Sequence, residues 1–150
     1  MAALAGQLAL IATAVFVGAA LYAHAVERPG ALRAEQGQCL EQWLGTFRRS
    51  LAFQRGLAFA AAVLGLLGWG LAQDWSWNLR RDYPWFLAMA ALLLCFVSTL
   101  RITPGVRRLM LLKAGPDARR VLKDYAMQQL MRVLQGGLAL AGYALAIIRG

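Results

Sequence analysis

The sequence predicts an all-α fold, a transmembrane four-helix bundle with a cytoplasmic amphipathic segment. Three observations predict it. Hydrophobic residues make up 60% of the 150 and mean hydropathy is +0.53, whereas a soluble domain sits nearer one half apolar and cannot hide this much. The apolar residues gather in four runs, each close to the ~20 residues that cross a bilayer. The basic residues, 16 Lys+Arg against 7 Asp+Glu for a net charge of +9, cluster between those runs.

The elements follow in order within one integral membrane domain. The first run, residues 2–25, ends before Glu27, Arg28, Pro29 and Gly30, and Pro29-Gly30 stops a helix. Ala23-His24-Ala25 has the look of a signal-peptide cleavage site. No Lys or Arg precedes the run, however, and it is too long for an h-region, so it reads as a retained span. Residues 31–50, "ALRAEQGQCLEQWLGTFRRS", carry Leu40, Trp43, Leu44 and Phe47 at helical spacing. They read as a surface amphipathic helix running into a second span over 51–71. Residues 73–85, "QDWSWNLRRDYPW", read as a loop. Trp75, Trp77 and Tyr83, with Trp69 and Trp85, then form an interfacial aromatic belt. A third span over 85–100 is short, which implies snorkelling of Arg101 or bilayer thinning. Pro104-Gly105 breaks that helix, Gly115-Pro116 makes a turn, and Asp117 caps the final helix, which spans the membrane over 130–148.

Orientation follows from the charges. Arg28, Arg33, Arg48, Arg49 and Arg55 mark the first connection, and Arg101, Arg107, Arg108, Lys113, Arg119, Arg120 and Lys123 mark the third. The middle loop carries only Arg80 and Arg81. Connections one and three are therefore expected in the cytoplasm, against an anionic leaflet, with both termini on the other side of a bacterial inner membrane. No nucleic-acid fold pattern accompanies the charge. Cys39 and Cys95 lie in different segments without metal-ligand spacing, so no metal and no cofactor is expected. Small residues four apart supply close helix approach: Ala14/Gly18, Ala61/Gly65, Gly137/Ala141 and Gly142/Ala146.

The polar residues at the cytoplasmic ends of the spans are the candidate site. Tyr125, Gln128, Arg132 and Gln135 fall at i, i+3, i+7 and i+10, on one face of a helix. Thr46, Ser50 and Gln54 form a second row. If the rows face each other they make a cationic pocket in which Arg132 holds an oxygen and the amides orient an aromatic ligand. The bland alternative is a solvated collar, with Arg132 snorkelling. Gln135 is deeper and should seek an interhelical hydrogen bond, and Gln7 has the same part near the opposite face. His24, the chain's one histidine, shares a face with Glu27 and is a candidate proton acceptor or simply an interfacial residue.

Four stretches carry a family resemblance: "VERPGAL" at 26–32, "QWLGTFRRSLAFQ" at 42–54, "TLRITPGVRRLM" at 99–110 and "KDYAMQQLMR" at 123–132. On these the chain resembles the anthrone-oxygenase-like family of small four-span membrane proteins, a family largely of unknown function. The resemblance implies the four-span layout, and for some members oxidation of anthrones by dioxygen without metal or flavin. This chain departs from the family pattern. A Pro, small polar, Asn motif is here Pro104, Gly105, Val106, and a fourth-helix Trp, His, Arg set is here Tyr125, Gln129 and Arg132. Glutamine cannot act as a general base. Two functions are therefore expected from the sequence. One is a non-catalytic membrane module or accessory subunit with partner membrane subunits. The other is a cofactor-independent oxygenase or binding protein for an aromatic, quinone-like molecule.

Overall fold

The computed structural model describes residues 1–27, 37–72, 78–111 and 116–149, with side chains described at 1–27, 49–72, 78, 81–100, 104 and 127–149. Every regular element among the described residues is a helix, and none is a strand. Helix α1 is Ala2–Tyr22 and continues through a π-helical turn, Ala23–Glu27. Helices α2, Gly37–Ala72, α3, Leu79–Leu111, and α4, Pro116–Arg149, complete the bundle. Four segments are long and apolar enough to cross a membrane: Ala2–Glu27, Arg49–Ala72, Arg81–Leu100 and Met127–Arg149. This is a multi-pass membrane protein. Each helix packs on the next, and α1 closes the ring against α4.

Several expectations change. Residues 73–85 are not all loop, because α3 begins at Leu79. Asn78 precedes it, and its carbonyl accepts from the Arg81 and Asp82 N–H groups at 3.0 and 2.9 Å. The Asp82 carboxylate reaches back to the Asn78 N–H at 3.1 Å, as the acid of a capping box does. The third span therefore starts at Arg81 and runs 20 residues, so no thinning is required. Pro104 does not break the helix; it lies inside α3, as does Pro84. A proline removes one ladder bond, which membrane helices tolerate when neighbouring groups re-satisfy the freed carbonyl. Asp117 is not a cap, because α4 begins at Pro116. Proline suits a first helical position, where the missing N–H has no intrahelical partner. Residues 31–36 of the amphipathic segment lie outside the described residues, as do Pro29, Gly30, Trp75 and Trp77; the rest of the segment is the start of α2.

The packing inverts a soluble protein. Leu8, Ile11, Val15, Phe59, Leu66, Leu93 and Leu134 are exposed, while the core is rich in alanine: Ala9, Ala58, Ala61, Ala88, Ala139 and Ala146. Lipid tails are as apolar as leucine, so burying leucine gains little; small residues gain by letting backbones approach. Two of the small pairs face inward. A Cβ at Gly65 would collide with the Tyr143 ring and hydroxyl, and one at Gly142 would sit 2.9 Å from the Pro84 carbonyl oxygen. Gly65 thus makes room for Tyr143, which is fully buried and donates its hydroxyl to the Ala61 carbonyl at 3.0 Å. The other two pairs face outward: Ala14, Gly18 and Ala141 are exposed, and Gly18 and Gly137 have open space around them.

The aromatic belt is also redrawn. Trp85 is buried against Gly6 and Gly68 and meets Tyr143 edge-on at 5.7 Å. Trp69 is half-buried and edge-on to Phe86 at 5.0 Å. Tyr83 stays at the surface, where its hydroxyl accepts from Arg149 at 3.0 Å under the guanidinium.

Gly65→Ala is expected to destabilise the bundle by about 1–3 kcal/mol, the usual cost of overpacking. Gly70→Ala, at a position with open space, should be neutral or slightly stabilising because alanine is the better helix former. Unfolding midpoints in mixed detergent micelles check both.

Candidate functional site

The inward phase of α4 is set by its small residues. Gly136, Ala139, Gly142, Tyr143 and Ala146 are buried. Stepping back along the helix at spacings of three and four reaches Arg132 and Gln129, which are buried too. The polar face of α4 is therefore Gln129 and Arg132, flanked by the half-buried Gln135. Gln128 is exposed and takes no part, which corrects the expected stripe. The side chain of Tyr125 lies outside the described residues, as does that of Thr46.

Arg132 does not snorkel. Its relative exposure is 0%, although it lies little more than a turn into the span that begins at Met127. One terminal nitrogen, Nη1, donates to Gln54 Oε1 at 3.1 Å and to Gln129 Oε1 at 2.6 Å. A guanidinium only donates, so it fixes how each amide is turned: oxygen toward the arginine, nitrogen away. The nitrogens then meet α1. Gln54 Nε2 donates to the Ala19 carbonyl at 3.5 Å and to Ser50 Oγ at 3.3 Å. Gln129 Nε2 donates to the Ala20 carbonyl at 3.4 Å. Carbonyl oxygens have two lone pairs, so these bonds add to the helix ladder.

Helix α3, the remaining one, joins through sulfur. Cys95, buried in α3, has two acceptors within reach of its one thiol hydrogen, Gln135 Oε1 at 3.4 Å and the Arg132 carbonyl at 3.8 Å. One polar layer therefore touches all four helices: α1 by carbonyls, α2 by Gln54, α3 by Cys95 and α4 by Gln129, Arg132 and Gln135. Gln129 and Cys95 were not singled out as site residues from sequence. The phase of Gly136, Ala139 and Tyr143 was the signal that points to Gln129; no local signal points to Cys95.

The remaining candidates stand apart. His24 sits in the π-helical turn, half-buried, and its Nδ1 is enclosed with no hydrogen-bond partner among the described residues. No hydrogen bond or ion pair joins it to Glu27 or to Arg132 among the described residues. Gln7 is exposed. No group of three or more His, Cys, Asp or Glu able to hold a metal occurs among the described residues.

The opposite end of the bundle holds a cavity of about 280 Å³, where the start of α1 meets the ends of α2 and α4 and the start of α3. It does not adjoin Arg132. Comparison with protein-family models, curated proteins and solved structures finds no match to this chain.

Arg132→Met should destabilise the bundle by about 2–4 kcal/mol, because it leaves two buried amide oxygens without a donor. Adding Gln54→Leu and Gln129→Leu should recover part of that loss, since an apolar layer is better than a half-satisfied one. Mixed-micelle unfolding of the single and triple variants measures both.

Proposed function

We propose that this chain is a non-catalytic membrane module, an accessory subunit that packs against partner membrane subunits in a bacterial inner membrane. The observation that carries the reading is the state of the polar layer. The side chains that could do chemistry, Arg132, Gln54 and Gln129, are buried and bonded to one another and to the α1 backbone. Such a layer fixes helix positions and presents no base. Two small-residue pairs, Ala14/Gly18 on α1 and Gly137/Ala141 on α4, are meanwhile turned toward the surrounding bilayer, where they allow close approach of another helix. The orientation that the charges favour puts connections one and three in the cytoplasm, against anionic lipid, and both termini outside.

The second reading is a cofactor-independent oxygenase or binder of an aromatic, quinone-like molecule. It rests on the resemblance in the stretches around Gln54 and Arg132. One observation favours it: the positions compared with that family's His and Arg, here Gln129 and Arg132, are in contact at 2.6 Å. Gln129 nevertheless cannot accept a proton as a base.

Purification in gentle detergent after crosslinking in native membranes separates the two. Partner chains at fixed stoichiometry are expected, lost in Gly18→Leu or Gly137→Leu while the bundle stays folded. A chain that runs alone, or that consumes dioxygen with an anthrone in a manner abolished by Arg132→Ala, overturns the proposal in favour of the oxygenase. For orientation, an alkaline phosphatase fused after Gly150 should be active and one fused within the third connection, at Gly115, inactive; the reverse result inverts the topology.

A further inference from the structure

We propose that the cavity at the end of the bundle remote from Arg132 is a binding site for a small, neutral, planar aromatic molecule bearing a hydroxyl or carbonyl oxygen. Its wall contains Gly6, Gly68, Trp69, Arg81, Asp82 and Trp85, and its volume is about 280 Å³. That is near the lower end of the roughly 300–1,000 Å³ of ligand pockets, enough for one or two fused rings.

The two indoles are fixed before any ligand arrives. Trp85 is clamped: a Cβ at Gly6 or Gly68 would come to 2.9 or 3.1 Å of its ring edge, and Tyr143 holds it from the side at 5.7 Å. Trp69 is held by Phe86 at 5.0 Å. Rigid aromatic walls cost a ligand little ordering and favour offset or edge-on contact with a second flat ring.

The polar side of the cavity is an ion pair in which Asp82 is buried and the Arg81 side chain is 36% exposed. Asp82 is 1% exposed, takes the Asn78 N–H on Oδ2 at 3.1 Å and receives the Arg81 Nε–H on Oδ1 at 3.1 Å. The carboxylate thereby holds a guanidinium at the wall, and a guanidinium can only donate. An occupant with an oxygen that accepts suits such a wall. It must also be neutral, because a carboxylate would face Asp82 as well as Arg81, and a cation would face Arg81. The location agrees. Spans one and three start here and spans two and four end here, so the ring lies toward the apolar interior and its oxygen toward the boundary with water. A lipid chain has no use for a donor and needs no fixed ring faces.

The test uses the full chain in lipid nanodiscs with radiolabelled 2-naphthol as probe. Saturable binding near one equivalent per chain is expected above partition into protein-free discs. Ala3→Phe and Ala72→Phe, each placing a ring in the mouth from an exposed lining position, should each weaken binding by at least about tenfold, as should Arg81→Gln. Naphthalene, which lacks the oxygen, and 2-naphthoate, which is charged, should both bind the wild type more weakly than 2-naphthol. Uptake no greater than into empty discs overturns the proposal. So does unchanged affinity in the folded Ala3→Phe or Ala72→Phe variant, or naphthalene binding as well as 2-naphthol. A lipid that native mass spectrometry finds retained one per chain and that 2-naphthol does not displace also overturns it. Failure here leaves the accessory-subunit reading standing, because that reading rests on α1 and α4 surfaces and on Arg132.

Discussion

A polar group inside a bilayer has no water to turn to, so its partners must come from the protein. Arg132 is the severest case among the described residues. It is fully buried, and its donors need oxygens that the protein itself must supply. Gln129 on the same helix and Gln54 on α2 supply them to Nη1, and because the arginine takes their oxygens, their nitrogens must find acceptors of their own. The Ala19 and Ala20 carbonyls close the chain of bonds. One charge thus dictates the rotation of α4, the depth of α2 and the position of α1. Networks of this kind specify an arrangement as much as they stabilise it, since a misplaced helix leaves several groups orphaned at once.

Away from that layer the bundle is held by shape. The Gly65–Tyr143 and Gly142–Pro84 approaches set the spacing of α4 against its neighbours, and the alanine-rich core lets the helices close. Large apolar side chains are left for the lipid, where they lose nothing. The two small pairs that the packing does not use, on α1 and α4, are the natural places for another helix to lie.

The two ends of the bundle differ in chemistry. One is closed by the amide–guanidinium layer, with the π-helical turn and His24 just beyond it. The other holds a cavity beside Trp85, whose ring packs into the space that Gly6 and Gly68 leave. Asp82 has a double part there: it caps α3 and holds Arg81 at the cavity wall. A carboxylate at a helix N-terminus also suits the helix dipole, which helps to keep it buried there.

The sequence by itself determined the architecture. Span number and approximate limits follow from apolar run length, because bilayer thickness fixes how many residues a helix needs. Arg132 and Gln54 were legible as a pair of facing polar residues, since both lie within apolar runs where polarity is conspicuous. Local stop signals misled where tertiary surroundings overrode them, as at Pro104, and the belt reading of Trp85 failed because a tryptophan near an interface can pack inward as readily as outward. What only the tertiary structure decided is rotation. A helix's polar residues can be counted from the sequence, but a shift of one position, here from Gln128 to Gln129, turns a side chain by about 100°. That turn depends on which small residues meet the neighbouring helices. The same holds for Cys95 and for the cavity: each exists only where residues from three or four helices meet, and no local pattern encodes such a meeting.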